Sequence, residues 1–144
     1  MKKYIVIGKP IDHSLSPQLH NYWIKQNNIN AIYGKEQVEN EDLKEFILKI
    51  KKKEIDGINV TVPYKNSIIP NLDELTPQAV STQSVNTIYA KDNKIVGHNT
   101  DVDGFEASIR NSKFNPEKKE IFIIGAVGVV PSIIFALNKM KVSK

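Results

Sequence analysis

The chain has 144 residues, 40% hydrophobic and 25% charged, which is the composition of one globular domain large enough to bury a core. It contains no cysteine, so disulfides, thiolate-bound zinc and thiol catalysis are excluded. The net charge of +4 comes from 20 basic residues of which only Arg110 is arginine, so the planar fork that reads phosphates and base edges is nearly missing and nucleic acid is not expected as a partner.

Tyr4-Ile5-Val6-Ile7-Gly8 is a continuous apolar run, the pattern of a strand buried on both faces of a parallel sheet. The chain enters this strand without a signal-like apolar region, and no run reaches membrane-spanning length. A cytoplasmic location without a membrane partner is therefore expected. The loop Lys9 to Pro17 carries two prolines and two serines, and Ser16 before Pro17 suits the cap and first position of a helix. Leu15, Leu19, Tyr22 and Trp23 then recur at helical spacing and predict its buried stripe.

Ala31 to Val38 alternates as a second strand, with Asn40 suited to cap the helix that follows. Leu43, Phe46, Ile47 and Ile50 give that helix a clear amphipathic face, and Lys49, Lys51, Lys52 and Lys53 suit its solvated end. Ile55 to Val60 is a third strand, and Pro63 predicts a helix start just after it, with a stop near Pro70. A short helix is expected around Pro77 to Ser81. Strands Val85 to Ala90 and Ile95 to His98 follow, joined by a tight turn at Lys91-Asp92-Asn93-Lys94. Thr100 suits the cap of a helix from Asp101 with Val102, Phe105 and Ile109 inward.

Residues 113–119 are polar and contain Pro116, which reads as a connector. Ile121-Phe122-Ile123-Ile124 predicts another buried strand, Gly125-Ala126-Val127-Gly128 a turn, and Val130, Ile133, Ile134 and Leu137 one face of a final helix. That is the opening of a nucleotide-binding unit whose further strands are not in this chain. The expected fold is α/β: a three-layer, mainly parallel sheet with helices on both faces over residues 1–112, a connector at 113–119, and the start of an incomplete Rossmann unit at 120–144. The exposed apolar surface of such a unit predicts self-association.

Turns after successive strands supply Ser14 and Ser16, then Asn59, Thr61 and Lys65, then Asn86 and Thr87, then Asn99, Thr100 and Asp101. Hydroxyls, amides and a carboxylate converging with one lysine suit a small polyhydroxylated or carboxylated ligand. Lys65 and Asp101 suit a proton-transferring pair. The same residues also serve as turn formers, caps and a surface ion pair, and the composition alone leaves that open. His13, His20 and His98 lack metal-ligand spacing, so no metal is expected.

The run Gly8-Lys9-Pro10-Ile11-Asp12-His13-Ser14-Leu15-Ser16-Pro17 with His20-Asn21, then Asn59 to Lys65, then Ser84-Val85-Asn86-Thr87, then Gly97-His98-Asn99-Thr100-Asp101-Val102-Asp103-Gly104, closely resembles the shikimate dehydrogenase family in the same order. The resemblance implies NADP-dependent, reversible reduction of 3-dehydroshikimate to shikimate in aromatic amino-acid biosynthesis. It implies that Ser14 and Ser16 bind the substrate carboxylate, that Asn59, Thr61, Asn86 and Asp101 meet its other polar groups, and that Lys65 moves the proton with Asp101 as partner. The cofactor turn would be Gly125, Ala126, Val127, Gly128 and Val129.

Two departures matter. Val127 stands where the family usually has glycine, which predicts weakened NADP binding, because a Cβ hinders close approach of the backbone to a pyrophosphate. The chain also ends at Lys144, so the resemblance implies a fragment with an incomplete cofactor site and negligible turnover alone. Alternatives are a shikimate-binding module without redox activity and a quinate-accepting or NAD-preferring relative. A smaller departure is Thr82-Gln83-Ser84 in place of the family's frequent Ile-Gly-Ala, for which a local backbone change is expected.

Overall fold

The computed structural model describes residues 1–143. Its sheet is built outward from β1 (Lys2–Gly8), which pairs in parallel with β2 (Ala31–Gln37) on one side and β3 (Gly57–Val60) on the other. An antiparallel hairpin, β5 (Thr87–Lys91) and β6 (Lys94–His98), continues from β3, and the two-residue β4 (Glu74–Leu75) closes the far edge in parallel with β6. The order is β2-β1-β3-β5-β6-β4. The mainly parallel α/β architecture is the expected one. β4 is too short to leave a pattern in the sequence.

The pleat divides the core. Ile5 and Ile7 point to one face with Ile58, Val60, Ile88 and Ile95, where α2 (Leu43–Lys51) covers them with Leu43, Phe46, Ile47 and Ile50. Val6 points to the other face with Ile11 and Tyr33, against which Ile24 of α1 (Ser16–Gln26) packs. The hairpin turns at Asp92 and Asn93, both at positive φ (49° and 62°), as a tight two-residue loop requires. After it come α4 (Asp101–Asn111) and, beyond residues 112–129, α5 (Val130–Lys139); α3 (Pro77–Thr82) precedes the hairpin. Among the described residues no helix is long and apolar enough to cross a membrane.

Several local expectations are corrected. Leu15, Leu19, Tyr22 and Trp23 lie on the exposed side of α1, with Leu15 69% exposed. The cause is Asn21, whose amide donates to the Tyr33 carbonyl (2.7 Å) and whose oxygen accepts from the Tyr33 N–H (3.0 Å). Satisfying the backbone of the edge strand β2 fixes the rotation of α1 and turns its larger apolar groups outward.

Pro63 does not start a helix. The Val62–Pro63 bond is cis, and residues 62–68 run as successive turns before a 3-10 turn at Ile69–Asn71. The Lys65 carbonyl accepts from the Val85 N–H (2.7 Å) instead of from a helical amide, while Tyr64 and Ile68 are drawn into the core.

The caps also differ. The side chains of Glu39 and Asp42 form the capping box before α2, so Asn40 is not its cap. At α4 the side chain of Asn99 accepts from the amides of Asp101 and Val102, so Thr100 is not the cap there either.

Residues 121–124 form no strand. Phe122 is 88% exposed and Ile124 fully so, and the N–H groups from Glu120 to Val129 donate no hydrogen bond. A strand needs a neighbour to pair with, and no strand among the described residues lies alongside. Finally, α5 forms but is rotated from the expected face. Ser132, Ala136 and Leu137 are buried and Ile134 is exposed, because a buried bond between Asn99 and Ser132 orients the helix.

Candidate active site

Register places the chemistry on one edge of the sheet. Ile7 of β1 lies beside Val60 of β3, Asn59 beside Thr87 at the start of β5, and Thr87 opposite His98 at the end of β6. The ends of three strands and the start of an antiparallel fourth therefore open together. The segments carrying Ser14 and Ser16, Thr61 and Lys65, Asn86, and Asp101 all leave from this edge. The carboxyl edge of an α/β sheet is the usual place for a ligand.

The first two loops are stitched by backbone bonds, Thr61 N–H to the Ile7 carbonyl (2.9 Å) and Lys9 N–H to the Val62 carbonyl (3.0 Å). They approach so closely at Gly8 that an added Cβ would lie 2.5 Å from Thr61 Cγ2 and 2.9 Å from the Val62 oxygen. Only glycine permits that approach. Ser14 accepts through Oγ from the Ser16 amide (3.3 Å). The hydroxyls of Ser16 and Thr61 have no protein partner among the described residues, although both residues are partly sheltered, so they remain free to meet a ligand.

At the centre, Lys65 Nζ donates to Asp101 Oδ2 at 2.7 Å, with both side chains mostly buried, 14% and 21% exposed. This is not the solvated pair that the sequence left open. Asn86 Nδ2 donates to the other carboxylate oxygen, Oδ1, at 2.9 Å. Both oxygens of Asp101 are thus engaged, and the lysine ammonium keeps hydrogens to offer. Asp101 also stands in the first turn of α4, where the helix dipole favours a negative charge.

Asn59, expected to meet the ligand, also has partners within the protein. Its amide donates to the Asn86 carbonyl (3.0 Å) and Thr87 Oγ1 (3.1 Å), and its oxygen accepts from the Tyr33 hydroxyl (2.6 Å). It braces Asn86 from below and has one lone pair left for a ligand. Burial pushes the Tyr33 phenol well above its ordinary value, so it stays a donor to Asn59. His20 stacks on the Tyr33 ring at 4.2 Å, and burial lowers its pKa, which keeps it neutral there.

The expected cofactor turn lies beside this pair. Gly128 approaches Lys65, an added Cβ there standing 3.9 Å from Lys65 Cδ, and Ser84 Oγ points to the Gly128 carbonyl at 3.5 Å. A cleft of about 350 Å³ between them is lined by Val62, Pro63, Lys65, Ser84, Gly128 and Pro131, among others. Gly125 has a φ of +116° with open space around it. Val127 is 64% exposed and is not among the residues at positive φ, so its backbone is unstrained and only its bulk stands against close approach.

The family model described as shikimate dehydrogenase substrate binding domain matches residues 6–88, more than half of the chain. The chain belongs to this family. Among relatives of this shikimate dehydrogenase family, the shikimate dehydrogenase (NADP(+)) of Pelagibacter ubique is 52% identical over 99% of this chain and 54% of its own length. That of Desulfitobacterium hafniense is 45% identical over 95% of this chain and 50% of its own. A solved shikimate dehydrogenase in complex with NADP+ superposes with a TM-score of 0.91 at 37% identity, over 96% of this chain and 48% of that one. The Thermus thermophilus enzyme in complex with shikimate does so at 0.89 and 28% identity, over 96% and 53%. The chain thus spans about half the length of the shikimate dehydrogenases it matches.

One residue beside the pair was given no role in the sequence reading. Asn99 stood among the polar turn residues without a role, yet it is fully buried and its side-chain amide lies within hydrogen-bond distance of five polar atoms. The signal available was its place two residues before Asp101, since asparagine is a preferred helix cap, but Thr100 offered the same chemistry one residue nearer.

Proposed function

We propose that this chain is the substrate half of an NADP-dependent shikimate dehydrogenase and that shikimate and 3-dehydroshikimate bind at the edge formed by Ser14, Ser16, Thr61, Lys65, Asn86 and Asp101. The observation that carries the reading is the sheltered Lys65–Asp101 pair, tethered by Asn86 and flanked by two unpartnered hydroxyls. The family match and the relatives' names support it.

In this reading Ser14 and Ser16 receive the ring carboxylate, and Thr61, Asn86 and Asp101 receive hydroxyls. NADPH, when bound, supplies the hydride to the ketone carbon. Negative charge then builds on the carbonyl oxygen, and the Lys65 ammonium stabilises it and delivers the proton that completes the hydroxyl. In the reverse direction Lys65 receives that proton. Asp101 orients the ammonium through the 2.7 Å hydrogen bond.

Residues 1–112 form the substrate domain, 113–119 a connector and 120–144 the beginning of the cofactor domain. Gly125, Ala126, Val127, Gly128 and Val129 would cradle the pyrophosphate at the start of α5. The positive φ of Gly125 and the closeness of Gly128 to Lys65 fit that assignment, whereas the exposed bulk of Val127 opposes close approach. A cytoplasmic location accompanies this reading. A second reading, binding without turnover by residues 1–144, is favoured by the unpaired segment 121–124, which gives the turn no sheet to stand on.

Calorimetric titration of shikimate into the chain tests the proposal. One site per chain is expected, with affinity lowered roughly tenfold or more by Ser14→Ala combined with Ser16→Ala. No heat of binding from a folded chain would refute the substrate assignment. An assay with NADPH and 3-dehydroshikimate separates the two readings, because normal turnover by residues 1–144 would exclude the second.

A further inference from the structure

Asp101 is placed by the first turn of α4, and a helix begins with N–H groups that have no partner of their own. Thr100 cannot serve them. Its hydroxyl donates to Asn86 Oδ1 (3.1 Å) and accepts from Asn86 Nδ2 (2.9 Å), and its own N–H donates to Asn86 Oδ1 (3.0 Å). The Asp101 carboxylate is occupied by Lys65 and Asn86. What remains is Asn99 Oδ1, which accepts from the amides of Asp101 (2.9 Å) and Val102 (3.2 Å).

The other end of the same amide is fixed to three further pieces of chain. Asn99 Nδ2 lies 3.1 Å from Thr82 Oγ1 at the end of α3, 2.9 Å from the Ser84 carbonyl and 2.9 Å from Ser132 Oγ in α5. Asn99 and Ser132 have no exposed surface, and Thr82 and Ser84 are buried. Water therefore has no way to replace these bonds, and losing the amide would leave several buried polar groups without partners.

We infer that Asn99 is the positioning residue of the Lys65–Asp101 pair: it sets the carboxylate by capping α4, and through Ser132 it sets the start of α5 against the same point. Asn99 is fully buried and bonds the Asp101 backbone amide, not its carboxylate, so it acts through Asp101. The statement about placing the pair stands on hydrogen-bond geometry, while its consequence for shikimate rests on the function proposed above.

Two readouts on the 144-residue chain keep these apart. The first needs no ligand: the rate at which acetic anhydride acylates Lys65, followed by mass spectrometry. In the pair Lys65 Nζ is hydrogen-bonded to the Asp101 carboxylate and its side chain is only 14% exposed, so disturbing Asp101 frees the amine for the reagent. Asn99→Ala and Asp101→Asn should both raise the rate roughly tenfold, as for one lost charge-assisted bond. Ser132→Ala removes only the link to α5 and leaves the cap intact, so an unchanged rate assigns the placing of the pair to the cap, and a rate raised as far as in Asn99→Ala would overturn that assignment. Asn99→Ser retains an oxygen that can cap the helix but not the amide's donations, so it should fall between wild type and alanine, and it serves if the alanine variant does not fold. A wild-type acylation rate in any folded Asn99 variant overturns the inference.

The second readout is shikimate affinity in the single and double variants of Asn99→Ala and Asp101→Ala. A positioning role predicts that the double variant loses no more than the worse single, whereas a merely structural role predicts additive losses and would overturn the inference. If wild type itself does not bind shikimate, the proposed function falls while the acylation result still decides the role of Asn99.

Discussion

Single residues carry the clearest departures from easy backbone geometry. Gln83 stands at φ 47°, ψ 38°, in the left-handed region, just after α3. The sequence resemblance puts glycine at this position, and the structure shows why: the chain must reverse there to bring Ser84 and Asn86 to the site. A side chain in this conformation costs about 1 kcal/mol or more, which the bond from Gln83 Nε2 to the Val80 carbonyl (2.7 Å) partly offsets. Gln83→Gly is therefore expected to stabilise the fold by about 1 kcal/mol. Chemical denaturation would show this as a raised midpoint at unchanged slope, and an unchanged or lowered midpoint would contradict it. At the same scale, Lys65, Asp101, Asn86, Ser14, Ser16 and Thr61 were legible because each sits in a motif whose spacing survives folding. The bonds of Asn99 and the bracing bonds of Asn59 were not, since their partners are 15 to 33 residues away in places that spacing does not reveal (Thr82, Ser84, Ser132; Tyr33, Asn86).

Among the elements, those with strong periodicity and a neighbour to bury against were readable. β1, β3, α2 and the β5–β6 hairpin fall close to where the pattern put them. α1 shows the limit of periodicity: its apolar stripe is real, yet two hydrogen bonds from Asn21 decide which side faces the sheet. The far edge depends on a comparable clamp. Asp73 precedes the two-residue β4 and accepts from the Ile95 N–H (2.8 Å) and from Lys51 Nζ (3.2 Å). The amide bond first, and the lysine second, hold its pKa below the ordinary 3.8. A carboxyl depressed on folding stabilises the protein fully above its unfolded value and loses that contribution as pH falls through its folded value. Asp73→Asn should therefore make stability less dependent on pH below 3.8, where wild type weakens as Asp73 takes up its proton. Denaturation midpoints measured across that acid range test it, and identical pH slopes in the two proteins would rule the clamp out.

The whole molecule has two regimes. The sheet and α1 to α4 form a connected body with continuous cores on both faces, whereas residues 120–129 are held by little apart from the fold's contacts at Ser84 and α5. Amides that donate no hydrogen bond and lie exposed exchange at nearly unprotected rates. Hydrogen exchange should thus label Glu120 to Val129 within the shortest measurable time, while β1 and β3 remain protected. Slow exchange at Phe122 to Ile124 would mean that a second copy covers them, which makes the same measurement a test of self-association. The strand expected there was misread because apolar β-branched residues state a preference for a sheet but cannot supply the partner strand.

The rung between Thr87 and His98 has a practical consequence. Asn86 lies immediately before it and Asn99 immediately after, so the candidate edge is fastened at the base of the hairpin, while the loop at Asp92 and Asn93 is exposed at the opposite end. Foreign peptide grafted into that tip, or an affinity tag looped through it, would leave the candidate edge undisturbed and give a handle for immobilising the protein with its cleft turned outward.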